Sequence, residues 1–189
     1  MRSHQFFKNT PIMLLQRISI VIIVSFIATS CSEYAPPVPT KLPDATITGA
    51  NTFGCYIETD LYIPEYRTIT FEMPGPLIVE FPFDTKHFFD VNTSRIVNKK
   101  DPFQDAAVAF SIANVKDTGD FKVINGLVEF EGRYYHTDSI NNGKITITKI
   151  DSLQKIISGT FYFKAKDRYS DKTVNVTSGR FDFNKNTLP

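Results

Sequence analysis

The sequence predicts an all-β fold, a single antiparallel β-barrel or tight β-sandwich spanning residues 45–189. Three observations carry that expectation. Apolar residues recur at every second position from about Thr46 onward, the period of a strand with one buried face. Asn, Asp and Gly clusters punctuate the alternating runs, as in Asp117-Thr118-Gly119-Asp120 and Asn141-Asn142-Gly143. No stretch carries helical periodicity, apart from a short helical turn expected near Thr85–Asn92.

Residues 1–30 read as a signal peptide. Arg2, Lys8 and Arg17 precede an uncharged run, Ile18 to Ile27, which is long enough for a signal core and short for a membrane span. Met13 offers a more compact alternative start. The small residues Ala28-Thr29-Ser30 then lead to Cys31, a pattern that resembles the bacterial lipobox. It implies cleavage before Cys31 and acylation of its thiol. At about 0.8 kcal/mol per buried methylene, several long chains make membrane attachment effectively permanent. Ser32 carries no inner-membrane retention signal, so the expected location is the outer membrane, facing either periplasm or surface. Residues 31–44 form the lipidated cysteine and a tether. There Pro36, Pro37, Pro39 and Pro43 favour extended backbone and exclude a helix.

The strands follow in order. Phe53, Cys55 and Ile57 share one parity, as do Leu77, Val79, Phe81 and Phe83. Val108, Phe110 and Ile112 oppose Ala107, Ala109 and Ser111. Val128, Phe130 and Tyr134 alternate with Glu129, Glu131 and Arg133, which assigns the first set inward. Ile145 and Ile147 come next, then Phe161, Phe163 and Ala165, then Val174, Val176, Phe181 and Phe183. Ser158-Gly159-Thr160-Phe161 is echoed by Ser178-Gly179-Arg180-Phe181, and a Gly within a strand pattern predicts a bulge or bend in each copy. Short gaps in this last third favour a hairpin-connected meander.

Loss of Arg2, Lys8 and Arg17 with the leader leaves 18 basic against 20 acidic residues, a net charge near −2. That balance argues against a nucleic-acid surface or a polybasic membrane patch. With Cys31 acylated, Cys55 has no intramolecular partner, so a disulfide framework is excluded.

Leu42-Pro43-Asp44-Ala45-Thr46-Ile47-Thr48-Gly49-Ala50-Asn51-Thr52-Phe53-Gly54-Cys55 resembles the opening of a family of Bacteroidota lipoproteins of unknown function. Leu61-Tyr62-Ile63-Pro64, Phe110-Ser111-Ile112, Gly143-Lys144-Ile145-Thr146-Ile147 and Val176-Thr177-Ser178-Gly179-Arg180-Phe181-Asp182 have counterparts in it too. After Ile57, where members carry an Asn-Gly turn, this chain has Glu58-Thr59-Asp60. The resemblance implies a cell-envelope lipoprotein with a β fold and carries over no activity or site residue.

Candidate chemistry is sparse. After the leader, histidine is confined to His87 and His136. His136 takes the parity of Val128, Phe130 and Tyr134. His136, Tyr134 and Phe130 are therefore the candidate ligand-binding residues, although a packed core histidine is the commoner outcome. His87 would face Asp84 if that segment were helical. No zinc-type spacing accompanies it, so neither metal nor cofactor is expected. Cys55 lies on an apolar parity, where a thiol behaves as a small hydrophobe. Glu129 and Glu131 share a face with Arg133, the pattern of a solvated surface rather than of a glycosidase cleft. The chain has no Gly-x-Ser-x-Gly elbow, phosphate loop or dinucleotide fingerprint, and no enzyme is expected. Tryptophan, a common sugar platform, is absent. Asp138-Ser139-Ile140 and Asp151-Ser152-Leu153 resemble a short O-glycosylation acceptor.

Two functions follow. In one, a calycin-like barrel holds a small apolar or amphiphilic ligand in its interior. In the other, the interior is solid and the outer surface docks another envelope protein or a glycan.

Overall fold

A computed structural model describes residues 39–66, 75–96 and 105–188. The expected leader, Cys31 and the first part of the tether lie outside the described residues. Twelve strands are present among those described: β1 (Thr52–Ile57), β2 (Asp60–Tyr62), β3 (Glu65–Tyr66), β4 (Leu77–Glu80), β5 (Phe89–Ile96) and β6 (Ala106–Ile112), then β7 (Gly119–Lys122), β8 (Asn125–Phe130), β9 (Arg133–His136), β10 (Gly143–Asp151), β11 (Ile156–Asp167) and β12 (Thr173–Asn184). The described residues contain no helix. The turn expected at Thr85–Asn92 is instead an irregular turn, with His87 at φ 48°, that runs directly into β5.

The strands form one sheet that doubles over on itself. One layer is β2-β1-β12-β11, extended by β10 and β7. The other runs β9-β8-β6-β5, with β4 and β3 both on the far side of β5. The layers connect where Lys166 and Asp167 of β11 pair with His136 and Tyr135 of β9. Every pairing is antiparallel except the short β3–β5 contact. β10, β11 and β12 form the expected meander, and β12 then pairs back onto β1, joining the two ends of the domain.

The inner faces are the alternating apolar sets. Along β11, Phe161, Phe163 and Ala165 are buried while Thr160, Tyr162 and Lys164 are exposed. Aromatic rings fill the gap between layers. Phe110 of one layer lies 4.9 Å from Phe161 of the other, centroid to centroid, and Phe89 lies 5.3 Å from Phe181. Phe53 stacks on Phe161 at 5.1 Å and Phe181 on Phe183 at 5.5 Å. Each buried ring contributes about 1.5–3 kcal/mol by burial. Bulges bend the long strands. The β11–β12 register slips between Phe161 and Phe163, opposite Ser178 at φ 52° and Gly179. At Gly159 the irregularity lies on the partner strand, between Ile147 and Lys149.

The sheet is open, so of the two architectures expected the sandwich is the one formed. Its path ends on β2 at one side and β3 at the other, with no ladder between them. These strands are separated in the chain by Ile63-Pro64 alone. Pro64 has no N–H to extend a ladder, and the chain restarts as β3 beside β5. Side chains bridge the seam. Arg95 donates to the Leu61 carbonyl and to Asp60 Oδ2, each at 2.6 Å.

The segment before β1 crosses the outer face of β1 and β12. Leu42 is buried, and a side chain at Gly54 would strike Pro43 Cδ and Leu42 Cδ2. Asp182 accepts from Thr46 Oγ1 at 2.6 Å, from the amides of Thr48, Gly49 and Ala50 at 2.8–3.1 Å, and from Ser158 Oγ at 2.6 Å.

Candidate functional site

The β8–β9 hairpin turns through Glu131 and Gly132, both at positive φ (51° and 68°) between paired Phe130 and Arg133, the pattern of a type I′ turn. This geometry overturns the expected parity. Across a two-residue turn Val128 pairs with Tyr135, so Tyr135 is the inward residue. Tyr134 pairs with Glu129 and His136 with Leu127, both on the outer face. Tyr134 is exposed, and the Glu129 carboxylate raises its phenol pKa, by charge first and then by a hydrogen bond. Phe130 is partly buried against the core. The three candidates therefore do not converge. The two glutamates do not form a pair either, since Glu131 occupies the turn itself.

His136 lines a groove of about 310 Å³ on the outer face of the β5-β6-β8-β9 layer, with Phe88, Asp90, Asn125 and Thr137. Burial, and then the charge of Glu80, raises the Asp90 pKa. No hydrogen bond joins His136 to Asp90 among the described residues. His87 is 3.4 Å from the Pro82 carbonyl through Nδ1, a packing contact. Cys55 is fully buried, and desolvation pushes its thiol far above the range in which thiolate forms. Among the described residues no group of three His, Cys, Asp or Glu side chains stands close enough to hold a metal ion.

A different place has the shape of a small-molecule site. A groove of about 470 Å³ opens at the rim of the sandwich, between the entering segment and the open seam. Phe53, Ile63, Pro64 and Leu77 line it together with Pro43 and Leu188, from before β1 and after β12. Asn51 and Thr52 supply its polar edge. Its volume falls in the range of about 300–1,000 Å³ typical of ligand sites, and apolar walls with a few polar groups are their usual lining. The folding explains the position. The β2 ladder stops at Tyr62, Pro64 follows, and the inward ring of Phe53 is left as the floor of a corner that no other described residue covers. Sequence reasoning missed this groove because Ile63-Pro64 and Leu188 lie outside any alternating run. Their one signal was being apolar where no strand needed them.

The β9–β10 connection and the β10–β11 hairpin carry the two Asp-Ser-aliphatic tripeptides in the same form. The Asp138 carboxylate accepts from the amides of Ile140 and Asn141, and that of Asp151 from those of Leu153 and Gln154. Ile140 and Leu153 are both exposed.

A family model described as a domain of unknown function, DUF6252, matches residues 104–183, a span that takes in β6 to β11 and nearly all of β12. No curated protein and no solved structure matches the chain. A DUF6252 domain of unknown function is thus found at residues 104–183.

Proposed function

We propose that the protein is a non-catalytic binding module of the bacterial cell envelope, held to the outer membrane by acyl chains on Cys31, that takes a small apolar or amphiphilic ligand in the rim groove. The observation that carries this reading is the groove itself, an apolar concavity of about 470 Å³ beside an interior already filled by rings. The filled interior moves the expected ligand position from the centre of the fold to its rim.

The order of charge, apolar run, small residues and cysteine at positions 2–31 supports the anchor, as does the resemblance to Bacteroidota lipoproteins. Eleven residues lie between Cys31 and Pro43, a reach of at most about 43 Å when fully extended.

Native mass spectrometry on the mature chain, purified without detergent, tests the binding reading. A discrete adduct that disappears on denaturation supports it. A clean apo mass after exposure to envelope lipid extract contradicts it. The anchor is tested separately by metabolic labelling with radioactive palmitate, with the label expected to vanish in Cys31→Ala.

A further inference from the structure

We propose that the outer face of the β7-β10-β11-β12 sheet is a docking surface for anionic lipid headgroups, which orients the anchored domain against its membrane. The proposal rests on the lipid-anchor reading for its biological setting, although the chemistry of the face stands by itself.

The registers place the residues. One outward row across four strands is Asp120, Thr146, Thr160 and Arg180, each paired with the next. The neighbouring row is Lys122, Lys144 and Tyr162. Lys164 lies two residues beyond Tyr162 on the same face, and it too is exposed. Four cations thus surround a tyrosine, and Asp120 is the one carboxylate within these two rows. Asp182, farther along β12, is enclosed by its bonds to Thr46, Ser158 and residues 48–50, and Glu58 meets Asn175, the β12 partner of Lys164. The Asp120 carboxylate is taken by Lys144 Nζ at 2.8 Å and by Thr146 Oγ1 at 2.7 Å. Within these rows Lys122, Lys164 and Arg180 remain in excess, on a mature chain whose net charge is near −2. Whole-chain charge conceals this concentration, because the four cations come from four different strands.

Between the rows lies a shallow concavity of about 490 Å³, lined by Lys144, Thr146, Thr160, Tyr162, Ser178 and Arg180. It offers hydroxyl donors and guanidinium and ammonium groups in one place, the chemistry that holds phosphate oxygens. Tyr162 is about half exposed, an amphipathic ring of the kind enriched at lipid–water interfaces.

Position selects the occupant. Arg180 Nη1 donates to the Pro43 carbonyl at 3.1 Å, and Ala45 lines the concavity, so this face adjoins the segment that leads back to Cys31. The other half of the same outer face is covered by residues 42–50 and is not free to dock. The charges nearest along that segment, Lys41 and Asp44, approach each other at 4.0 Å and cancel. A basic residue near an anionic leaflet contributes roughly fivefold in partitioning. Three in excess give weak binding to a free protein, but enough to orient one already tethered at high effective concentration.

The test is co-sedimentation of the mature chain carrying Cys31→Ala, so that no acyl chain contributes, with vesicles. One set contains phosphatidylethanolamine and phosphatidylglycerol, the other phosphatidylcholine alone. Binding is expected to the first set only and to fall as salt rises. The double reversal Lys122→Glu/Lys164→Glu should weaken it by at least about 25-fold, the product of two such factors. Lys86→Glu/Lys172→Glu, an equal charge change outside these rows, should leave it unaltered. Thermal unfolding of both variants verifies that the fold survives. Equal sedimentation with both vesicle types, or equal loss in the control pair, overturns the proposal. So does capture of an acidic polysaccharide without capture of anionic vesicles, which would make the face a glycan site. None of these outcomes depends on palmitate labelling of Cys31, so failure of the anchor reading is seen separately.

Discussion

The hydroxyl of Tyr62 lies 2.8 Å from Thr93 Oγ1, joining β2 to β5 across the seam where the sheet fails to close. Thr93 spends its own proton on the Val108 carbonyl at 2.7 Å, so Tyr62 is the donor. Both residues are buried, and desolvation keeps the Tyr62 phenol protonated far above its ordinary range. Thr93→Val strands a buried hydroxyl and should cost about 2–3 kcal/mol, whereas Tyr62→Phe leaves the Thr93–Val108 bond intact and should cost about 1 kcal/mol. Urea unfolding of the double variant should show less than the sum of the two. Full additivity would mean that the pair does not couple across the seam.

Asp182 should set the acid limit of the fold. Burial acts to raise its pKa, but the hydrogen bonds from Ser158, Thr46 and the Ala50 and Gly49 amides outweigh it, and the carboxyl sits below its ordinary value. A depressed folded-state pKa contributes stability that is present above the unfolded-state value and is lost as pH falls through the folded one. Asp182→Asn should therefore cost about 2–3 kcal/mol at neutral pH and flatten the acid limb of the stability curve. Hydrogen exchange at the Thr48, Gly49 and Ala50 amides should accelerate in the same variant.

The type I′ hairpin makes a sharp contrast between adjacent tyrosines. Tyr135→Ala removes an inward ring and should destabilise by about 3 kcal/mol. Tyr134→Ala, on the exposed side, should stay within about 0.5 kcal/mol. Glu131→Asn should stabilise by a few tenths of a kcal/mol, since Asn accepts positive φ more readily. Denaturant midpoints of the three variants check the inverted parity.

Cys55 should be chemically silent in the native state. Its thiol is fully enclosed and held protonated by burial. Iodoacetamide should fail to alkylate it in buffer, and the modification should appear only across the unfolding transition. Rapid native labelling would show that the β1 strand is less enclosed than the geometry indicates.

Alternation in the sequence was enough to place Phe53, Val108, Phe110, Ile145, Phe161 and Phe183 in the core, because a period of two depends only on a strand having one wet face. It failed at Tyr134 and His136, where a two-residue turn reverses the phase and nothing in Phe130-Glu131-Gly132-Arg133 marks that reversal except the glycine. Barrel and sandwich were equally compatible with the pattern. The choice rests on Pro64 breaking the chain between β2 and β3, after which β3 pairs with β5, a tertiary contact that alternation does not encode. The rim groove was hidden for the same reason: Pro43, Ile63 and Leu188 meet only after β12 pairs with β1.

The central claim is that an apolar ligand binds at the rim and not between the layers. Methyl NMR of the mature chain, titrated with decanoate below its micelle concentration, tests it most directly. The expected result is saturable shifts concentrated on Ile63, Leu77 and Leu188, with Val108, Ile145 and Val176 unmoved. Shifts confined to those three interior residues, or no saturable shift at all, would contradict it.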